Sequence, residues 1–518
     1  MYITQGIHRN LQQCPDRIAV EYQDVKYTYR ELAERVAKLA GALRSFNVKD
    51  GDRVALMSLN SARYIEYIYA VPWAGGVLNP INFRWSAKEV AYALDDSKTS
   101  VLIVDEKFAP LANDIKSKSR VLETVIYAGD GKAPACTHSY ESILEASDPV
   151  ADALRRGENL LGVFYTGGTT GIPKGVMLGH NGYVASTLSV MLEGVAPEGV
   201  RFLHAAPMFH LADFAMLHGV TMHGGTHVIV PFFEPTSVLK AISEKRVTQC
   251  LLVPTMVQML LDSTDFYHYD VSSLEHIVYG ASPMPLDTIR TAMERMPSLQ
   301  FIQAYGMTEL SPVATVSGVG NHTEAGIQSG RIRTAGRPGI VQEVKIVDPE
   351  GNEAKRGDVG EVIVRGPNVM QGYWGKPYET AAAIVNGWMH TGDGGYMDDD
   401  GYVYIVDRIK DMIISGGENI YSIEVENAVT HHPDVAQCAV IGIPDDTWGE
   451  AVHAVIVPLQ GKTPSGEEIR NFCKKFIAGY KCPRSVTLVN ALPLSGAGKI
   501  LKTQLRKPYW EKHKYNVN

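Results

Sequence analysis

The stretch Tyr165-Thr166-Gly167-Gly168-Thr169-Thr170-Gly171-Ile172-Pro173-Lys174-Gly175 gathers three threonine hydroxyls and one lysine within nine positions, among glycines at 167, 168, 171 and 175. Glycines let phosphate oxygens approach backbone N–H groups, hydroxyls donate further hydrogen bonds, and Lys174 adds a mobile positive charge. The composition is that of a triphosphate cradle. A Walker A loop requires Gly-Lys-Ser/Thr, whereas Lys174 stands between Pro173 and Gly175. A Gly/Thr-rich surface loop would explain the glycines but not the hydroxyls and the lysine together. The apolar run Leu161-Gly162-Val163-Phe164 reads as a buried strand and residues 181–192 as a helix, so the glycines are expected in a strand-to-helix turn.

Further groups with chemical potential follow in order: Tyr305-Gly306-Met307-Thr308-Glu309, Thr391-Gly392-Asp393, Asp407-Arg408-Ile409-Lys410-Asp411, Gly416-Gly417-Glu418-Asn419 and Gly498-Lys499. Taken singly, each is bland. Asp393 between glycines suits a turn, and Lys499 suits a solvated surface. Taken together with the glycine-rich stretch, their order and spacing resemble the adenylate-forming superfamily of acyl-CoA synthetases, firefly-type luciferases and adenylation domains of peptide synthetases. The resemblance covers nearly the whole chain.

The resemblance implies that a carboxylic acid attacks the ATP α-phosphorus, diphosphate leaves, and CoA then takes the acyl group. In it, Lys174 with Thr166, Gly167, Gly168, Thr169, Thr170 and Gly171 holds the β/γ phosphates, Thr308 meets the α-phosphate, and Glu309 binds Mg²⁺. The turn Gly280-Ala281-Ser282 flanks adenine, Tyr305 stacks on it beside Gly306, and Gln303 bonds its exocyclic amine. Asp393 accepts the ribose hydroxyls beside Arg408. Lys499 is the mobile catalytic lysine, Lys410 the hinge, and Gly416, Gly417 and Glu418 line the CoA tunnel. His210, Phe214, Tyr279, Gly306, Met307 and Val313 are the acid-pocket candidates, and neutral walls favour a medium or long fatty acid or an aryl or cinnamic-type acid over an amino acid. Two other readings are an adenylating enzyme that loads a carrier protein or oxidises the adenylate, and a non-catalytic nucleotide-binding homologue. The joint presence of Lys174, Glu309, Asp393, Arg408 and Lys499 speaks against the latter.

These groups must be positioned by more than one core, because 518 residues exceed a single compact domain. Helical apolar spacing over 28–44, with Thr28 as N-cap, leads into alternating strands and helices up to about residue 304, which predicts an α/β fold with doubly wound, largely parallel sheets. Segments 344–347, 361–364 and 402–405 predict a small antiparallel barrel or sheet, which the resemblance places in the large domain. Ser422 is expected to cap a helix opening a mobile α+β unit. The expected division is residues 1–407, a hinge at 408–410, and 411–518.

The net charge of -8 with interspersed signs argues against nucleic acid as a partner. Six cysteines without a C-x-x-C pair suit a reducing, cytoplasmic setting. Residues 64–81 are interrupted by Glu66, Pro72, Gly75 and Gly76 and read as a core helix and turn, not an integral membrane segment; the sequence is compatible with a homo-oligomer. His223 and His227 have metal-like spacing without an evident third ligand. The basic end, with Lys502, Arg506, Lys507, Lys512 and Lys514, is expected to be a solvated face.

Overall fold

Period-2 and period-3.6 apolar patterns alternate along the first three hundred residues, and they fold as such. The computed structural model describes residues 1–166, 173–416, 418–495 and 499–511. The chain forms two compact units: residues 1–344 with 364–389, and residues 345–363 with those from 390 on.

Among the described residues, the first unit contains a nine-stranded and an eight-stranded sheet. In the nine-stranded sheet, Arg201–His204, Gln249–Leu251, His276–Gly280 and Gln300–Tyr305 run parallel in consecutive register, and Thr315–Ser317 closes on the last of them antiparallel. In the eight-stranded sheet, Arg53–Met57 lies between Val77–Pro80 and Val101–Val104, all parallel. The doubly wound α/β expectation is met. Helix starts follow local chemistry where the partners are local: the Thr28 hydroxyl accepts from the Glu31 N–H while Glu31 reaches back to the Thr28 N–H, a capping box for Tyr29–Ser45. The expected core helix is Ala62–Trp73, buried along nearly its whole length, and no helix among the described residues is long and apolar enough to cross a membrane.

One connection differs from expectation. The strand Leu160–Thr166 is followed by a second strand, Lys174–Gly179, paired antiparallel with it, and only then by the helix His180–Met191. The segment Gly175-Val176-Met177-Leu178-Gly179 is short and apolar, so it completes a sheet instead of starting a helix. The glycine-rich stretch therefore joins two strands. Gly167, Gly168, Thr169, Thr170 and Gly171 lie outside the described residues.

The expected β segments of the middle region are the strands Glu343–Val347, Gly360–Arg365 and Val403–Arg408. In the second unit, the end of the strand Trp388–Met397, from Asp393 on, pairs antiparallel with Val403–Arg408. Further on, Val435–Asp445 and Gly449–Pro458 form a long antiparallel pair, flanked by Ile413–Ser415 and Ser485–Leu488. Ser422–Thr430 and Gly466–Cys473 pack on it around Ile413, Val425, Val429, Val440, Val452 and Ile469.

Ser422 is not the cap of its helix. Tyr421 occupies the N-cap position, and the Ser422 N–H donates to the carboxylate of Asp407, fifteen residues upstream. The basic end is also not a solvated face throughout. Lys502 is partly buried in an ion pair of 2.7 Å with Glu426 and donates to the Ser422 hydroxyl. Burial opposes its charge, but Glu426 and Asp407 outweigh it and hold the ammonium above its ordinary pKa. Lys507 is largely exposed, as expected, while Lys512 and Lys514 lie outside the described residues.

His218 lies fully buried in the helix Leu211–Met222, with no hydrogen bond to either ring nitrogen, and burial pushes its pKa down to about 3. The unfolded chain therefore binds a proton at His218 below pH 6.5 that the folded chain refuses, so stability from this group is present above pH 6.5 and lost as pH falls toward 3. Replacement His218→Phe removes that linkage. Urea denaturation at pH 7 and pH 5 is expected to show the variant gaining about 2 kcal/mol on the parent over this interval, from about 1.4 kcal/mol per pH unit; an unchanged difference would mean that His218 is protonated in the fold.

Candidate functional site

Lys174 begins the second strand of the glycine-rich hairpin, directly opposite Thr166. Its stems are braced from outside: Tyr165 donates to Asp96 Oδ2 at 2.6 Å, the Trp374 indole donates to the Asp96 carbonyl at 2.9 Å, and the Trp374 N–H donates to the Gly175 carbonyl at 2.8 Å. The short strand Gly372–Tyr373 pairs with Lys174–Gly179 and sets the Tyr373 ring 4.9 Å from the Lys174 ammonium. The same side chain donates to Glu309 Oε1 at 2.8 Å. Burial first, and then the Glu309 charge, push the Tyr373 hydroxyl above its ordinary pKa, so it remains a donor. One phenol thus ties together a cation and a carboxylate that lie far apart in the sequence.

Glu309 lies in the short helical turn Thr308–Leu310, between the antiparallel strands Gln300–Tyr305 and Thr315–Ser317. The turn folds back tightly, with the Ala314 N–H donating to the Tyr305 carbonyl. A Cβ at Gly306 would lie 2.0 Å from the Pro312 carbonyl oxygen, so only glycine fits there. Asn368, fully buried, donates to the carbonyls of Leu310 at 3.1 Å and Val313 at 2.9 Å and fixes the far side of the turn.

The strand partners Tyr279 and Gln303 stand side by side, and Gly280 pairs with Ala304. Ala281 adopts a left-handed conformation, φ 68°, between Gly280 and Ser282. Such a backbone is costly for a residue with a Cβ and occurs where surrounding structure enforces it. Of the acid-pocket candidates, His210 caps the helix Leu211–Met222, its Nδ1 accepting from the Ala212 N–H. The preceding turn is held by Asn60, which donates to the Ala206 carbonyl and accepts from the Met208 N–H. Phe214 is fully buried against Phe164 and Tyr183. Phe214 and Val313 share one apolar cluster, with Tyr305 and Met307 packed on it, whereas Tyr279 belongs to another. His223 donates through Nδ1 to the Ala196 carbonyl, and His227 is buried between His204 and Thr221.

The remaining candidates lie in the second unit. Asp393 and Arg408 are cross-strand partners joined by an ion pair of 2.6 Å, with Asp393 nearly buried. The Asp393 N–H donates to the Thr391 hydroxyl, which itself donates to the Val362 carbonyl. Lys410 follows in the turn Ile409–Asp411, whose backbone is gripped from the helix Lys502–Trp510: Arg506 donates to the Lys410 carbonyl at 2.9 Å and the Asp411 carbonyl at 3.1 Å, and pairs with the Asp411 carboxylate at 3.0 Å. Arg506 is thus not one of a set of solvated charges. Its partners are carbonyls some ninety-five positions away, and nothing in its neighbourhood along the chain signals them. Gly416 has φ 63°, a Cβ there would lie 2.6 Å from the Trp448 ring, and Glu418 pairs with Ser415 across the tight turn. Gly417 is outside the described residues. Lys499 donates its N–H to the Ser495 hydroxyl, and its carbonyl accepts from the Ser495 N–H.

A family model described as AMP-binding enzyme matches residues 7–374, and one described as AMP-binding enzyme C-terminal domain matches residues 424–499. A feruloyl-CoA synthase of Amycolatopsis sp is 39% identical, covering 97% of this chain and 98% of that protein. A medium/long-chain-fatty-acid–CoA ligase of Mycobacterium tuberculosis is 36% identical, covering 94% and 86%. The crystal structure of an anthranilate CoA ligase in complex with anthranoyl-AMP superposes with a TM-score of 0.89 at 27% identity, covering 98% of this chain and 97% of that one.

Charge-assisted hydrogen bonds of the Arg506 type contribute about 1.5–3 kcal/mol each. Arg506→Ala is therefore expected to raise tryptic cleavage after Arg408 and Lys410 at least about tenfold through local opening, read by mass spectrometry of early fragments. Unchanged cleavage at these bonds would show that Arg506 does not secure the turn.

Proposed function

The chain belongs to the AMP-binding enzyme family, and we propose that it works as an ATP-dependent, AMP-forming acyl-CoA synthetase on an aryl or fatty carboxylic acid. Acid, ATP and CoA become acyl-CoA, AMP and diphosphate through an acyl adenylate. The observation that carries this reading is the full-length correspondence with CoA ligases combined with the Lys174–Tyr373–Glu309 arrangement. Within the acid class, a hydroxycinnamic-type acid is favoured, because the feruloyl-CoA synthase relative spans almost the entire chain. Use of ATP and CoA suits a cytoplasmic reaction.

Displacement at phosphorus leaves the protein the tasks of alignment and charge neutralisation. Lys174 and the threonines around it hold the departing phosphates, and Thr308 meets the α-phosphate. Asp393, kept in place by Arg408, accepts the ribose hydroxyls. Tyr305 and the Gly280-Ala281-Ser282 turn enclose the base. Lys499 brings positive charge to the reacting carboxylate and α-phosphate, then withdraws for thiol attack as the chain turns at Lys410. Gly416, Gly417 and Glu418 border the path of the CoA arm.

Glu309 fits a hard divalent cation. Its carboxylate is nearly buried, and the Tyr373 hydroxyl occupies one of its several lone-pair sites. Mg²⁺ typically takes one protein carboxylate with phosphate and water oxygens, and when bound it supplies charge neutralisation on the phosphates. Tyr373 fixes the orientation of the carboxylate for that purpose.

Diphosphate release across benzoic, cinnamic, fatty and amino acids, with and without CoA and with products identified by mass, tests the reaction class and locates the acid; no acyl-CoA from any aryl or fatty acid would overturn it. Lys499→Ala is expected to lower adenylate formation by at least about 10²-fold, the scale of removing one charge interaction from the transition state, while sparing thioester formation from supplied acyl-AMP. Equal loss of both steps in the folded variant would overturn the role given to Lys499.

A further inference from the structure

The hydroxyl of Tyr279 sits between two partners, His322 Nε2 at 2.9 Å and Gln303 Oε1, the amide atom placed toward it, at 3.2 Å. The other ring nitrogen of His322, Nδ1, faces the Gly318 carbonyl at 3.2 Å. Burial pushes the pKa of His322 down to about 4, so the imidazole is neutral near pH 7 and carries one proton. A carbonyl oxygen only accepts, which puts that proton on Nδ1 and leaves Nε2 as an acceptor. Tyr279 must then give its single proton to Nε2.

The consequence passes to Gln303. Having spent its proton, the Tyr279 oxygen faces the amide as an acceptor, and an amide oxygen at that position would set two acceptors against each other. Amide oxygen and nitrogen are interchangeable in shape, and the hydrogen-bond network decides between them. The hydrogen-bond network therefore calls for the Gln303 amide turned over from the placement with Oε1 at Tyr279, which puts Nε2 toward the phenol and Oε1 at the opposite edge of the amide. All three side chains are locally fixed. Tyr279 and Gln303 are register partners on adjacent parallel strands, Tyr279 is 1% exposed, and His322 is 4% exposed with its ring against Tyr279 and Phe301.

We infer that His322 and Tyr279 are positioning residues for nucleobase selection, locking the Gln303 amide with its oxygen presented as an acceptor and so favouring a purine that carries a 6-amino donor over one that carries a 6-oxo acceptor. The inference rests on the proposed placement of Gln303 beside the adenine of ATP. Neither His322 nor Tyr279 touches the base; they act through the amide. Tyr279, a candidate for the acid pocket by position, has its hydroxyl engaged by His322.

The test is binding of AMP and IMP, and kcat/KM for ATP and ITP, measured on the full chain. The parent is expected to prefer the 6-amino nucleotides about tenfold or more, the order of effect when one buried amide group is left without its hydrogen bond. In His322→Leu the Tyr279 proton is released to the Gln303 oxygen, the amide turns over, and the AMP/IMP preference is expected to fall about tenfold, with the effect in KM and binding and little in kcat. In His322→Gln the new side-chain amide can donate to the Gly318 carbonyl and accept from Tyr279, and the preference is expected to return. Tyr279→Phe, which leaves the Gln303 amide unfixed, is expected to lose the preference as well and serves if His322→Leu folds poorly by thermal melting. A parent that discriminates while folded His322→Leu and Tyr279→Phe keep its full preference would overturn the inference and leave the adenine placement standing. A parent that does not discriminate AMP from IMP would remove the placement of Gln303 and the inference with it.

Discussion

The phenol of Tyr373 has to satisfy a cation and a carboxylate at once. It does so by using its two chemically different parts: the electron-rich ring face toward Lys174, and the hydroxyl toward Glu309. A nearly buried carboxylate needs a donor, and a lysine beside a glycine-rich loop needs a wall that limits its wandering without neutralising it. An acidic residue in place of the phenol would pair with Lys174 and repel Glu309. A phenol leaves both charges formal. The antiparallel pairing of Gly372–Tyr373 with Lys174–Gly179 delivers this ring, and the Trp374 hydrogen bonds to Gly175 and Asp96 hold that edge in place.

The second unit shows the same economy with backbone groups. Asp407, next to Arg408, accepts the N–H at the start of the helix Ser422–Thr430, while Lys502 lies against Ser422 and Glu426. Arg506, one turn further along its helix, takes the carbonyls of Lys410 and Asp411. A single C-terminal helix thereby stabilises both ends of the segment from Asp407 to Ser422. With its partly buried Lys502–Glu426 pair and with Leu505 and Tyr509 packed against buried residues of the unit, this helix is anchored to it, although its composition is that of a surface.

The order of strands and helices could be read from the sequence because burial imposes periods of two and 3.6 on apolar residues, and the Thr28 cap because its partner Glu31 is three positions away. The α/β fold agrees with that reading, and the acyl-CoA ligase class agrees with what the motif resemblance implied. What the sequence concealed depends on distance along the chain. Ser422 has the right type for a cap, yet the acceptor is Asp407; Arg506 and Lys502 look solvated until their partners arrive from other elements. Tyr373 carries no charge and stands in an ordinary Gly-Tyr-Trp run, and His322 is a lone histidine after a strand. The segment after the glycine-rich stretch reads as leading straight to a helix because so short an apolar run can be either a strand or a linker, and only pairing with Leu160–Thr166 decides.

That hairpin arrangement also carries an engineering implication. The stems from Leu160 to Thr166 and from Lys174 to Gly179 pair antiparallel in unbroken register from Gly162 on and are braced by Asp96, Tyr165 and Trp374, so the sheet sets the backbone position of Lys174. Engineering that is to leave Lys174 in place has therefore to leave these stems and their brace unchanged.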